Sequence, residues 1–268
     1  MSSKKRAIEI SEDVDDAVLR LKRPPGLDIV HRTDDFIVVH KPAGMYPRHG
    51  MLDEPGAFDV LVERDGFELE SLANVYPLEP DVSGLAVIAT RPDALAALVE
   101  QFATGRMTVT YQAIVRAMVM TEGGICDLPL RDPLRGAGRT HVDRDVGAPA
   151  RTEWKLRDRF VGFALLECIP RNRIEFQIRA HLVALGMPLA VDRVYGSQVG
   201  LMLSSFKAGY RPSRRKAERP LIDRASLHAH RIEMDLPGSA ERLTLTAEPP
   251  KDFRAALHQL DRFGRAPK

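Results

Sequence analysis

The amino-acid sequence predicts an α+β fold with a central, mainly antiparallel sheet flanked by helices and loops. Three observations carry this expectation. β-Branched and apolar runs recur along the chain, helical periodicities interrupt them, and the two do not alternate regularly as parallel strand–helix units would. Residues 1–28 are charged and run through Pro24-Pro25-Gly26, with only Val14, Val18 and Leu21 at helical spacing, so they read as a mobile tail holding a helical turn or two. Residues 29–268 read as one domain. Phe36-Ile37-Val38-Val39 is a strand stopped by the turn Lys41-Pro42-Ala43-Gly44. Gly84 to Ala89 is an unbroken apolar run, a buried strand, and Leu95, Leu98, Val99 and Phe102 give the next helix over 93–102. Alternation of Val109, Tyr111, Ala113 and Val115 predicts a half-buried strand over 108–120. A glycine turn at Gly162 leads into a strand ending near Ile169, and 176–185 reads as a helix closed by Gly186 and Pro188. Alternation over 227–236 and 242–247 gives two closing strands, and 253–260 a last short helix.

Composition narrows the function classes. Of 268 residues, 44% are hydrophobic and 28% charged, ordinary globular usage that argues against disorder and repeat-based fibres. The formal charge of +2 does not announce a nucleic-acid binder, so any basic surface must be local. One such segment exists: 207–224 carries Lys207, Arg211, Arg214, Arg215, Lys216, Arg219 and Arg224 against Glu218 and Asp223. It reads either as a solvated loop or as a phosphate-binding arm. No apolar stretch reaches the roughly 18–20 residues that span a bilayer, and the acidic residues after Met1 leave no apolar signal core. Two cysteines give no disulfide framework, which fits a reducing cytoplasm.

Several chemistries fail on spacing. His228 and His230 are the only close histidine pair and lack a third ligand, so no metal is expected. Gly136-Ala137-Gly138 lacks the remaining glycine of a dinucleotide loop and no Gly-Lys-Ser/Thr follows. Ser83 precedes Gly84, but position 81 is aspartate where a nucleophile elbow needs glycine. What remains is Tyr76-Pro77-Leu78-Glu79-Pro80-Asp81-Val82-Ser83-Gly84-Leu85, two carboxylates in a turn before a buried strand. Alone, this segment is ambiguous, and a hydrolase using Glu79 and Asp81 as paired acids is one reading of it.

Set beside other segments, it resembles the RluA-type pseudouridine synthases, whose pattern there is His-Arg-Leu-Asp-x-x-Thr-Ser-Gly-Leu. The likeness continues in order at His40-Lys41-Pro42-Ala43-Gly44, Tyr111-Gln112-Ala113-Ile114-Val115, Gln177-Ile178-Arg179-Ala180-His181-Leu182, Pro188-Leu189 with Asp192 and Tyr195-Gly196, and Leu227-His228-Ala229, covering about 29–253. The resemblance implies the pseudouridine synthase fold with an RNA-binding cleft and a cofactor-free isomerisation of uridine in structured RNA, ribosomal or transfer. It makes Glu79 the catalytic carboxylate, Arg179 its pairing cation and Tyr111 the ring against the base. Lys41, Arg211, Arg214, Arg215, Lys216 and Arg219 become candidates to hold RNA, and Arg131, Arg135, Arg139 and Arg144 read either as an addition to that surface or as a solvated loop.

This sequence departs from the family pattern around the site. Glu79 stands for the family Asp, Pro77 for its Arg, Tyr76 for its His and Val82 for its Thr, and Arg173-Ile174-Glu175-Phe176 replaces Gly-Arg-Thr-His. Glutamate reaches about 1.5 Å further than aspartate, and a misplacement of about 1 Å can cost a hundredfold in rate. Two readings follow: a synthase of weakened activity, and a catalytically inactive RNA-binding pseudoenzyme of the same fold.

Overall fold

The computed structural model describes residues 26–47, 55–132, 139–196, 200–211, 217–237, 239 and 241–265. The expected tail up to Pro25, the Gly136-Ala137-Gly138 loop, Arg135, and Arg214, Arg215 and Lys216 of the basic segment lie outside them. The described residues open with strands β1 (Asp28–Arg32) and β2 (Phe36–Lys41), followed by helix α1 (Ala57–Asp65) and the short strand β3 (Ala73–Asn74). Next come β4 (Ser83–Ala89), helix α2 (Pro92–Ala103) and β5 (Thr108–Val115). Strands β6 (Gly123–Cys126), β7 (Leu130–Arg131), β8 (His141–Val142), β9 (Thr152–Phe160) and β10 (Phe163–Pro170) lead to helix α3 (Gln177–Ala184). Strands β11 (Leu227–Asp235) and β12 (Arg242–Thr246) and helix α4 (Lys251–Phe263) complete it.

Ten strands form one sheet in the order β1-β2-β4-β11-β5-β10-β9-β6, with β12 beside β11 and β3 beside β4. Strands β7 and β8 form a separate ribbon. Among the described residues the strand pairings are antiparallel except for one, β4 with β11, which is parallel and short: Ser83 faces His228 and Gly84 faces Ala229. That contact explains the glycine. Gly84 has φ +122°, and a Cβ there would lie 2.2 Å from the Ala229 carbonyl oxygen, so only glycine lets the two backbones meet.

Packing follows from the sequence pattern. Every residue of β4 is buried, as its unbroken apolar run requires. Helix α2 starts with Pro92 at its first position and buries Leu98 and Phe102. Helix α4 sets Phe253, Ala256 and Leu260 on one face, packed with Ile114, Phe163, Val191 and Phe206. Two expectations change. The strand that begins at Thr108 ends at Val115, because the Arg116 amide turns to the Pro188 carbonyl and Met118 and Met120 swing out to solvent. The Gly162 turn joins two strands instead of introducing one; β9 precedes it, its charged residues hiding a buried series of Thr152, Leu156 and Phe160.

Candidate active site

The segment from Tyr76 to Val82 crosses from β3 to β4 over the end of the sheet. Tyr76 anchors it: the ring stacks on Phe102 at 5.8 Å and the hydroxyl donates to the Leu85 carbonyl at 2.7 Å. The amide of Val82 donates to the Glu79 carbonyl, a tight turn that turns Glu79 and Asp81 toward α3. Glu79 is buried, and its Oε1 accepts from the Phe176 amide at 3.0 Å. Phe176 caps the N-terminus of α3, where unpaired amides and the helix dipole favour negative charge. Among the described residues it is also the one non-glycine residue in the left-handed region, φ +59°, a conformation costing about 1–3 kcal/mol.

Arg179, one turn into α3, lies behind this carboxylate. Its side chain is wholly buried, and its hydrogen bonds go to Asp81 and, at 3.4 Å, to Asp192. The pairing expected from the resemblance was with Glu79. The turn at Val82 instead presents Asp81 to the guanidinium, while the longer Glu79 side chain reaches past it to the helix amide. Asp192 Oδ1 also accepts from the amides of Val194 and Tyr195, and its Oδ2 is buried without a partner. Burial pushes the Glu79 and Asp192 carboxyls up, with Arg179 opposing in both. Burial pulls Arg179 down, but Glu79, Asp81 and Asp192 more than offset this and hold its pKa above the usual value.

Two cavities meet at Glu79. A narrow slot, with room for about one water, is lined by Glu79, Tyr76, Phe102, Tyr111, Gln177 and Ile178 among others. Beside it a wider cleft of about 980 Å³, open to solvent, is lined by Tyr46, Asn74, Glu79, Asp132, Arg173 and Glu175 among others. Pro77, at the place of the family arginine, lies on the wall of both. Tyr111 comes from β5, where it faces Cys168 on one side and Ala229 on the other. Burial raises its pKa far above the ordinary phenol range, so the hydroxyl stays protonated.

Lys41, expected to face RNA, sits elsewhere. It is buried, and Nζ donates to the carbonyls of Pro42, Met45 and Pro80, each at 3.0 Å. All three N–H donors of an ammonium are thereby used, leaving none for a phosphate. The residue ties the turn after β2 to the carbonyl next to Glu79. In the basic segment, Arg224 makes a two-pronged pair with Asp252 and Lys207 lies over the Phe263 ring at 4.2 Å. Arg211 and Arg219 are exposed. Arg131 pairs with Asp143, Arg139 lies over Tyr195 and Arg144 is exposed. The histidine pair is held by backbone and hydroxyl: His228 bonds Ser83 Oγ at 2.9 Å and the Ala247 carbonyl at 3.1 Å, and His230 bonds the same carbonyl at 2.8 Å.

Residues 35–184, more than half of the chain, match the family described as RNA pseudouridylate synthase. The chain belongs to that family. The pseudouridine synthase is 30% identical over 241 residues to the ribosomal large subunit pseudouridine synthase D of Xanthomonas campestris pv. campestris, covering 87% of this chain and 69% of that protein. It is 27% identical over 250 residues to an uncharacterized RNA pseudouridine synthase of Bacillus subtilis, covering 91% and 76%. Among solved structures, human RNA pseudouridylate synthase domain containing 4 superposes with a TM-score of 0.62 at 23% identity, over 87% of this chain and 92% of that one, which shows the fold. The fold is thus the α+β pseudouridine synthase fold, and the family's activity is an isomerisation acting on RNA. No helix among the described residues is long and apolar enough to cross a membrane. Sequence reasoning passed over the Phe176 amide and the part of Asp81 and Asp192 in holding Arg179. The unusual stretch 173–176 was the signal for the first; the second had none, because a turn brings the partners together.

Proposed function

We propose that this synthase converts uridine to pseudouridine in structured RNA, with Glu79 acting on the nucleotide, Tyr111 lying against the base and Arg179 keeping the surrounding carboxylates ionised. The observation that carries the reading is the position of Glu79: it is a buried carboxylate at the junction of a narrow slot and an open cleft. On this reading the strand lies along the open cleft and the base enters at the slot between Tyr111 and Glu79, which must widen to admit it. Extruding a base from folded RNA costs a few kcal/mol, which contacts to the strand offset. The reaction balances within the substrate. The bond from N1 of uracil to the ribose C1′ breaks, a bond from C5 to C1′ forms, C5 loses a proton and N1 gains one. No oxidant, reductant or second substrate enters, so no cofactor is required by the reaction.

Glu79 serves in its ionised form, as the group that attacks or deprotonates the nucleotide. Burial works against that form; the Phe176 amide and Arg179 work for it. The relatives named for the large ribosomal subunit make its RNA the first substrate to test, with transfer RNA as the comparison, and both are met in the cytoplasm. The exposed Arg211 and Arg219, with Arg214, Arg215 and Lys216 between them in sequence, are the candidates for phosphate contacts, which salt would weaken.

The test is tritium release from RNA labelled at C5 of uridine, prepared from cells lacking the protein. Wild type should release tritium, and Glu79→Gln should lose at least about a hundredfold in rate. Undiminished release by Glu79→Gln would refute the assignment. A second reading, RNA binding without chemistry, draws on Pro77 in place of arginine and on Arg179 being bonded to Asp81; release by Glu79→Asp alone, or by no variant on either RNA, would favour it.

A further inference from the structure

The amide that holds Glu79 belongs to a peptide gripped at both ends. The carbonyl of Glu175, in the same peptide plane as the Phe176 N–H, accepts from Thr140 Oγ1 at 2.7 Å. Thr140 is fully buried, and its own carbonyl accepts from the Tyr195 hydroxyl at 2.6 Å. The Tyr195 ring meets the Phe176 ring edge-on, with centroids 6.3 Å apart. Carbonyl and N–H of one peptide point in opposite directions. Fixing the carbonyl therefore fixes where the N–H aims, and a donor on the oxygen polarises the N–H toward its acceptor. Thr140 and Tyr195 come from separate segments, before β8 and after α3, so the grip is built by the tertiary fold and not by the helix itself.

We propose that Thr140 is a positioning residue for Glu79, acting through the Glu175–Phe176 peptide, and that Tyr195 holds Thr140 in place for this task. The inference rests on the reading that Glu79 is the working carboxylate. Among the described residues the charged and titratable groups that face Glu79 or line its cavities are Arg179, Asp81, Glu175, Lys41, Tyr111 and Tyr195, with Tyr76, Asp132 and Arg173 on the cavity walls. None of them is altered in Thr140→Val, which removes the hydroxyl at nearly constant shape. A hydrogen bond to the charged form lowers a carboxyl pKa, so loosening the amide makes Glu79 ionise at higher pH.

The experiment follows the Glu79 carboxyl by carbon-13 NMR in the full chain without RNA, its signal assigned by its loss in Glu79→Gln. Thr140→Val should move the titration midpoint upward by about 0.5–1 pH unit, and Thr140→Ser, which restores a hydroxyl, should stay within about 0.2 of wild type. Tyr195→Phe should move it upward by about 0.3. The acid limb of tritium release should shift with the midpoint in each variant. A wild-type midpoint in Thr140→Val, or a Thr140→Ser midpoint displaced as far as that of Thr140→Val, overturns the proposal. If Thr140→Val does not fold, Thr140→Ala, which also removes the hydroxyl and leaves every group facing Glu79 in place, decides: an unmoved midpoint overturns it. Wild type that makes no pseudouridine would refute the functional reading, while the carboxyl titration would still decide the role of Thr140.

Discussion

Replacing Arg179 by methionine keeps most of the side-chain length and removes the only cation hydrogen-bonded to Asp81 and Asp192 among the described residues. Three carboxylates then face one another, and two of them, Glu79 and Asp192, are buried. Asp192 keeps the Val194 and Tyr195 amides on Oδ1, but its Oδ2 already lacks a partner, so no other cation among the described residues stands in for Arg179. Breaking a buried ion pair from one side typically costs about 3–5 kcal/mol, and that is the loss expected at pH 8. The pH dependence separates this cause from simple cavity formation. In the variant, the folded-state pKa values of Glu79 and Asp192, already raised by burial, rise further once Arg179 no longer opposes it. A carboxyl whose folded value lies above its unfolded value near 4 binds more protons when folded. Stability is then lost as pH rises through that window and regained as pH falls through it. Urea denaturation at pH 8 and pH 5 should show the deficit shrinking to about 1–2 kcal/mol at the lower pH. Adding Asp192→Asn should recover about 1–2 kcal/mol at pH 8 by removing one of the stranded charges. An equal deficit at both pH values, or one below about 1 kcal/mol, would refute this account of Arg179.

Two other changes test the frame. Gly84→Ala forces a Cβ against the Ala229 carbonyl and keeps φ +122°, so a loss of about 3 kcal/mol or more in urea midpoint analysis is expected; a variant within about 1 kcal/mol of wild type would show that β4 and β11 can separate without cost. His228 is held by burial at a pKa of about 4, against about 6.5 when unfolded, so it withholds a proton that the unfolded chain takes up. It therefore contributes stability above about pH 6.5 that is lost as pH falls toward 4, and His228→Asn should flatten that decline by roughly 2 kcal/mol; thermal unfolding followed from pH 7 to 4.5 checks this, and an unchanged slope contradicts it.

How much of this was legible in the sequence differs element by element. Strands with two buried faces declare themselves, and β4 was readable from its apolar run alone. Strand β9 was not, because Arg157 pairs with Glu167 on β10 and Arg159 with Glu122, so its exposed face reads as a charged loop. Helix α1 escaped notice for a different reason: its start is fixed by a backbone amide, that of Gly56, bonded to Asp59, and a glycine cap leaves little in the residue pattern. At the site, spacing and order placed Glu79, Tyr111 and Arg179 together on the strength of the family resemblance. The direction of each side chain was beyond such reasoning. One turn decided that Arg179 meets Asp81, and one left-handed residue decided that Glu79 meets an amide. Lys41 shows the limit most plainly, since a lysine after a strand looks like a surface charge until the three carbonyls around it are seen.

The parallel contact between β4 and β11 has a bearing on how the protein is made. Strand β4 follows the loop that carries Glu79, and β5 carries Tyr111, yet the two are not neighbours: β11 lies between them. That strand begins at Leu227, more than a hundred residues after β5 ends at Val115. During synthesis the two walls of the slot therefore emerge early and wait for a distant partner before they can be set at their working separation. Pairings of this kind close late because the loop entropy must be overcome first. A nascent chain halted before Leu227 therefore holds Glu79, Tyr111 and Arg179 without the strand that lies between β4 and β5 and without Leu227, which lines the slot.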